Sequence, residues 1–175
     1  HVINSHMHVD HVGGNHFCTE ACTLCHKKEM EAYENPEPWE VPGYADRTAA
    51  PVDGSQEPPA PEADDRVQDI VTPRFELLSG DNEIAKGVHL FETPGHTPGH
   101  VIFYHRPSKF ALVGDVLFQG SIGRTDFPMG NHQDLIDAIV TKLWPLGDDV
   151  TFIPGHGPES TFGRERRSNP YVGGT

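Results

Sequence analysis

Basic residues are scarce in this chain: 13 Lys and Arg stand against 26 Asp and Glu, a formal net charge of -13 over 175 residues. A nucleic-acid binder needs a positive stripe to displace counterions from phosphates, and an anionic membrane surface makes the same demand. The electrostatics exclude both partner classes. Long apolar runs are missing as well, and no stretch reads as a secretory leader or a membrane span. Cysteine is limited to Cys18, Cys22 and Cys25, an odd set within one short stretch. Free thiols in a reducing compartment are expected, and with them a cytoplasmic location.

The Cys-x3-Cys-x2-Cys spacing is also that of radical iron–sulfur enzymes. Such a cluster sits in a loop, whereas Ala21-Cys22-Thr23-Leu24-Cys25 reads as a short buried strand, so buried thiols are the better reading. Hydrophobic residues make up only 35% of the chain, and one segment accounts for much of the deficit. Eight of the 16 prolines fall between Pro36 and Pro73. Within that segment, residues 48–69 have almost no bulky apolar side chain and cannot offset the entropy of their own ordering. The expected organisation is a single domain over residues 1–175 with a mobile Pro/Asp-rich insertion at about 48–69, whose Trp39 and Tyr44 end folds over something.

Outside the insertion, helix and strand signals alternate. A Gly13-Gly14 turn leads to a short helix, and residues 27–34 mix charge and apolar residues as an exposed helix does. "RFELLSGDNEIAKGVHLFETPGH" reads as strand, turn and strand; residues 101–105 and 110–113 are two further strands around an Arg106-Pro107-Ser108-Lys109 turn. In "NHQDLIDAIVTKLWPL", Leu135, Ile136, Ile139, Val140 and Leu143 form one apolar stripe. Asn131 is its N-cap, and Pro145 and Gly147 end it. The class is therefore α/β, or layered α+β.

Histidine is abundant, with 12 residues, and its placement is not even. "NSHMHVDHVGGN" puts His6, His8, Asp10 and His11 within six positions. In extended backbone, residues two apart point the same way, so His6 and His8 can grip one ion. Asp10 and His11 lie where the chain turns and face elsewhere. Three more candidates stand just past apolar strands, each preceded by Gly: His96 after "VHLFETPG", Asp115 after "FALVG" and His156 after "VTFIPG". Imidazole and carboxylate are the usual ligands of zinc and other first-row divalent ions. Five histidines and two aspartates ask for two ions side by side, with Asp115 between them. His100 stands beside the set as a support, while His16, His26, His89, His105 and His132 have no partner spacing.

"HMHVDH", "TPGHTPGH", "GDVLF" and "PGHGP" resemble the motif series of metallo-β-lactamase-fold hydrolases. From His89 to Tyr171, "GSIGRTDFPMGNHQDL", "PLGDDVTFIPGHGPEST" and "GRERRSNPYV" resemble the compact single-domain type II glyoxalases, the hydroxyacylglutathione hydrolase-like proteins. The resemblance implies an αββα sandwich with metals at one edge of the sheets. It gives His6, His8 and His96 to one metal and Asp10, His11 and His156 to the second, with Asp115 bridging. The implied cofactors are two divalent ions, zinc foremost, with iron and manganese as alternatives. The implied reaction is attack of a metal-bridging hydroxide on the thioester of a small acyl-glutathione, with Asp10 and Asp115 catalytic as well as ligating. Arg124 of "GSIGRTDFP" stands where relatives bind the glutathione part, and its other reading is a salt bridge with Asp126.

Relatives begin with several strands and a helix before the His-rich motif, where this chain has "HVINS". The sandwich is thus expected to lack its N-terminal strands and to leave sheet edges uncovered; a longer natural chain, or a partner chain in a homo-oligomer, would supply the cover. Three other functions compete. A persulfide dioxygenase shares the "GRTDF" loop but uses one iron, corresponding here to His6, His96 and Asp115. An acyl-homoserine lactonase is a second hydrolase option. An inactive metal-binding fragment would bind metal and turn over nothing. The intact Asp10, His11 and His156 set favours the hydrolase.

Overall fold

Apolar strand segments divide between two sheets whose nearest ends carry the histidines. The computed structural model describes residues 2–12, 15, 23–34 and 75–174. The insertion at 48–69, Trp39, Tyr44, Cys18, Cys22 and the short helix expected after Gly13-Gly14 lie outside the described residues.

The smaller sheet is parallel, in the order β1 (Val2–Ile3), β2 (Thr23–His26) and β3 (Phe75–Leu78). All four residues of β2 are buried, as a strand covered on both faces must be. Burial, ahead of the nearby Glu29 charge, pushes the Cys25 thiol up to about 11, so it stays protonated. A neutral, enclosed thiol is what the strand reading predicts for this cysteine. The helix α2 (Lys27–Glu34) follows β2 directly. It is not exposed throughout, because Glu29 is buried.

The larger sheet has six strands. In spatial order these are β11 (Ser160–Thr161), β10 (Thr151–Pro154), β7 (Phe110–Gly114), β6 (Val101–His105), β5 (Val88–Glu92) and β4 (Asn82–Ala85). A two-stranded ribbon, β8 (Leu117–Phe118) with β9 (Ser121–Ile122), follows β7. The stretch from Arg74 to His96 thus contains three strands rather than two, and β3 pairs in the other sheet. Gly80, at φ +75, stands at the break between β3 and β4 in backbone that side chains disfavour.

The main core lies on one face of the larger sheet. Ile102, Tyr104, Ala111, Val113 and Phe152 pack against α3 (His132–Ala138) and α4 (Phe162–Ser168), with Trp144 edge-on to Phe162. Asn131 caps α3 as its sequence predicts, its side chain accepting from Gln133 N at 3.0 Å and Asp134 N at 3.1 Å. The stripe is also as predicted, with Leu135, Ile139 and Leu143 buried and Ile136 and Val140 partly so. The helix, however, widens into a π turn over Ile139–Leu143 and ends in a 3-10 turn over Trp144–Leu146. Residues four apart drift by about 40° on an α-helix. A wider turn takes up that drift and keeps Leu135, Ile139 and Leu143 facing the sheet. Pro145, with no N–H to donate, then ends the ladder.

α3 also touches the loop that carries His96. Asn131 N donates to Gly95 O at 2.8 Å, and a Cβ on Gly95 would lie 2.4 Å from Leu135 N. Truncating Leu135 to alanine therefore empties the core where it supports this loop. The Leu135→Ala variant is expected to lose about 2–5 kcal/mol of stability, read as a lower urea midpoint at unchanged slope.

Candidate metal centre

β5 and β7 both run antiparallel to β6, and β10 runs parallel to β7, so the three share a direction. Their C-terminal ends meet at one edge of the sheet. His96 follows β5 there, Asp115 directly follows β7, and His156 stands two residues beyond β10. The smaller sheet delivers the rest. Asn4 N donates to Leu24 O at 3.0 Å, and Val101 N donates to Ser5 O at 2.9 Å, which joins the end of β1 to the start of β6. His6 and His8 follow, and the one-turn helix α1 (Val9–Val12) carries Asp10 and His11.

All seven residues predicted from spacing meet in one cluster. Ligand atoms of His6, His8 and His96 lie within 4.8 Å of one another, as do those of Asp10, His11 and His156. A third overlapping set, His6, His11 and Asp115, joins the first two. Asp115 stands between them: its Oδ1 is 3.5 Å from His11 Nε2, and its Oδ2 is 3.6 Å from His96 Nε2 and 3.5 Å from His156 Nε2. At the rim, Asp10 Oδ2 is 3.1 Å from His156 Nε2 and 3.8 Å from His11 Nε2.

Tautomers follow from the outer hydrogen bonds. His96 Nδ1 donates to Arg124 O at 2.8 Å, which leaves a lone pair on Nε2, 3.1 Å from His8 Nδ1. His6 Nδ1 lies 3.0 Å from Ser5 Oγ, and its Nε2 points away from that partner. Burial, ahead of the surrounding histidines, holds His6 far below the ordinary imidazole value, and the same two causes lower His8 to about 4. Both rings are therefore neutral and able to donate a lone pair. His11 differs: the neighbouring Asp115 carboxylate raises it, against the opposing effect of burial. Burial opposes the charge of Asp115, but His11, with His96 and His156, outweighs it and keeps the carboxyl below its ordinary value.

Whether the cluster suits a cation can be tested on its unpaired atoms. His6 Nε2, His11 Nε2 and Asp115 Oδ1 are buried and make no hydrogen bond. Each such group costs on the order of 1–3 kcal/mol. All three belong to one set of converging ligand atoms, and all three are acceptors when each imidazole carries its proton on Nδ1. A divalent cation satisfies three such acceptors at once. The donor set, imidazole and carboxylate, suits zinc, iron or manganese. The residues fit the group.

His100, read from the sequence as a support beside the set, is fully buried and stacks on His6 at 4.8 Å. Its Nε2 accepts from Asp115 N at 3.1 Å while Nδ1 donates to Thr93 Oγ1 at 3.0 Å, so a neutral ring holds the Asp115 backbone in place. Burial keeps it neutral, well below the ordinary value. Gly123 and Gly155 leave room where no side chain fits: a Cβ at Gly123 would lie 1.9 Å from Asp115 O, and one at Gly155 2.2 Å from Asp115 Oδ1. Arg124 makes the Asp126 salt bridge, with Nε at 2.7 Å and Nη2 at 2.6 Å, and its guanidinium lies 3.8 Å above the Phe127 ring. Phe127 in turn meets His8 edge-on at 5.7 Å. Arg124 thus touches the centre through its carbonyl, on His96, and through the ring it covers.

Two outcomes follow. In Gly155→Ala the added methyl meets Asp115 Oδ1 and, at 2.6 Å, His11 Cε1; metal affinity is expected to fall about 10–100-fold, read by chelator competition. The second concerns protons. His11, raised above its ordinary value, holds part of a proton near neutrality that a metal must displace, whereas His6 and His8 are already neutral. Loading near pH 7 is expected to release a proton, and affinity to strengthen as pH rises through the His11 value. Calorimetry in buffers of different ionisation enthalpy reads that proton directly.

The family profile described as the metallo-beta-lactamase superfamily matches residues 1–156. A protein of Aquifex aeolicus is 33% identical over 180 residues, covering 98% of this chain and 74% of its own. The hydroxyacylglutathione hydrolase GloC of Haemophilus influenzae is 53% identical over 97 residues, 55% of this chain and 44% of that protein. The probable metallo-hydrolase YqgX of Bacillus subtilis is 41% identical over 105 residues, 58% of this chain and 50% of that protein. The chain thus spans about half the length of these last two relatives. Among solved structures, the B3 metallo-beta-lactamase BLEG-1 superposes with TM-score 0.70 at 30% identity, covering 98% of this chain and 76% of that one. TTHA1623, solved in a di-iron-bound form, superposes with TM-score 0.71 at 29% identity, covering 97% and 76%. The layered α/β sandwich expected from the sequence is this fold, and divalent metal ions go with it. The chain belongs to the metallo-β-lactamase superfamily.

Proposed function

We propose that this chain hydrolyses thioesters of the hydroxyacylglutathione type in the cytoplasm, with two divalent metal ions, zinc foremost and iron or manganese as alternatives. The observation that carries the reading is the continuous cluster of five histidines and two aspartates around buried acceptors that nothing among the described residues satisfies. The name of the Haemophilus influenzae relative supports the substrate class.

His6, His8 and His96 would hold one ion and Asp10, His11 and His156 the other, with Asp115 shared. When bound, the ions supply Lewis acidity toward water and toward the thioester carbonyl. The chain's own residues do the remainder. His96 is fixed in one tautomer by the Arg124 carbonyl, and Asp115 is fixed by His100. Asp10, half exposed beside His156, is available to take a proton from the attacking water. Phe127 offers an apolar wall against His8. Arg124 would bind a glutathione carboxylate by exchanging Asp126 for the substrate, a fork suited to either partner.

The dioxygenase reading needs only His6, His96 and Asp115, and leaves the Asp10, His11 and His156 set without a purpose. That set favours the hydrolase. The deciding experiment is elemental analysis of the purified protein with a panel of S-lactoylglutathione, acyl-homoserine lactones and glutathione persulfide. A metal content of about two per chain, thioester cleavage and no oxygen uptake with the persulfide are expected. Bound metal with no turnover of thioester or lactone would leave an inactive module. His8→Ala is expected to lower kcat/KM about 100-fold or more, and Arg124→Ala to raise KM for glutathione thioesters while kcat stays close to the parent value.

A further inference from the structure

Glu29 is a buried carboxylate, 1% exposed, on a helix that contributes no candidate ligand. It is enclosed and used by nothing in the reaction above. Its two oxygens go to two different places. Oε2 accepts from Met7 N at 3.0 Å, and Oε1 accepts from Gly99 N at 2.7 Å. Met7 stands between His6 and His8. Gly99 stands between His96 and His100. One carboxylate therefore ties the segment delivered by the smaller sheet to the loop delivered by the larger one.

The surroundings show that this approach is close on purpose. A Cβ on Gly99 would lie 2.6 Å from His26 Nδ1, 2.8 Å from Glu29 N and 2.9 Å from Glu29 Cγ. The loop rests directly on α2, where only glycine fits. His26 is itself held, its Nε2 donating to Glu92 Oε1 at 2.7 Å, so the floor beneath Gly99 is rigid. Across the tie, His8 Nδ1 and His96 Nε2 stand 3.1 Å apart, although 88 positions separate them in the chain. Charge-assisted bonds to two backbone N–H groups are the strong kind, and they are directional.

We infer that Glu29 is a positioning residue of the metal centre, its carboxylate setting the spacing between the His6-Met7-His8 segment and the His96 loop. The inference rests on the metal reading proposed above. It also predicts asymmetry: the tie bears on the His6, His8 and His96 set, while the Asp10, His11 and His156 set lies beyond it.

The test is Glu29→Gln in the full chain, with cobalt(II) as the probe and Glu31→Gln on the same helix as the control. Glutamine keeps the size and one acceptor, but turns an amide donor toward the other N–H. Cobalt affinity by chelator competition, the visible cobalt spectrum and the unfolding midpoint of the metal-free protein are read together. Parent and control are expected to take up cobalt alike. Glu29→Gln is expected to bind the tighter cobalt about 10–100-fold more weakly, with a changed spectrum, the fall in turnover appearing in kcat more than in KM. A lowered midpoint with parental affinity and spectrum would show a merely structural role and overturn the inference. Should Glu29→Gln fail to fold, Glu29→Asp, which keeps the charge but shortens the reach, replaces it with the same two readings. If neither folds without metal, the residue serves the fold itself and the inference falls. If the parent binds no cobalt, the metal reading fails, and that outcome is distinct from a parent that binds while Glu29→Gln binds equally well.

Discussion

Unpaired acceptors converging in a buried space are the constraint around which the rest of the molecule is arranged. His6 and His8 are enclosed enough to stay neutral, so each brings a lone pair and no charge. With Nδ1–H donated to the Arg124 carbonyl, His96 turns Nε2 inward. Asp115 adds two acceptor oxygens, of which Oδ1 makes no hydrogen bond among the described residues. Such a grouping is unfavourable alone, and outer partners on Nδ1 of His6 and His96 keep those two rings facing inward. A cation resolves it. The conflict and the metal site are one feature seen from two sides.

Holding the groups from behind is the task of the surrounding fold. The larger sheet presents three parallel strand ends at one edge, so His96, Asp115 and His156 need only short excursions to meet. Glycine at 123 and 155 lets the backbone approach Asp115 where a methyl would collide. His100 fixes the Asp115 backbone through a ring that is fully spent on Thr93 and Asp115 N, and so cannot compete for metal. Glu165 makes an instructive contrast with Glu29. It too is a buried carboxylate, accepting from Gly120 N at 2.8 Å and Asn169 Nδ2 at 3.0 Å. Its bonds join the turn between β8 and β9 to α4 and its C-terminal cap, neither of which carries a candidate ligand. Buried carboxylates tie elements together throughout this protein, and what they tie decides what they do.

The candidate ligands were legible in the sequence because their signals are local. His-x-His-x-Asp-His needs no tertiary knowledge, and a Gly followed by His or Asp after an apolar run marks a strand end. Asn131 and the stripe through Leu143 are equally local. What was not legible is what depends on distant pairing. β3 and β4 lie only a few residues apart, yet they belong to different sheets, and that choice is made by β2 and β5. Glu29 in "KKEMEAYE" looks like any solvated charge on an amphipathic helix; only the arrival of Met7 and Gly99 on its two oxygens distinguishes it. Arg124 carried two readings, and the structure realises the ion pair with Asp126 while leaving substrate recognition open to exchange.

The two halves of the centre differ in a way that bears on how a substrate would approach. His6 is fully enclosed and His96 nearly so, whereas the side chains of His156 and Asp10 are 58% and 53% exposed. The enclosed half is built from imidazoles alone, and the open half includes a carboxylate and a histidine that Asp115 raises above its ordinary value. Three neutral ligands leave a divalent charge uncompensated in a poorly solvated place, which is unfavourable unless an anion stands close. Asp115 is that anion, 7% exposed and in reach of His96, His11 and His156 together. Were it displaced toward the rim, where water already screens charge, the enclosed half would lose the only carboxylate among its candidate ligands. Its position between the halves is therefore set by the buried half's need for charge, and the open half, with Asp10 of its own, is left as the side on which a substrate can be received.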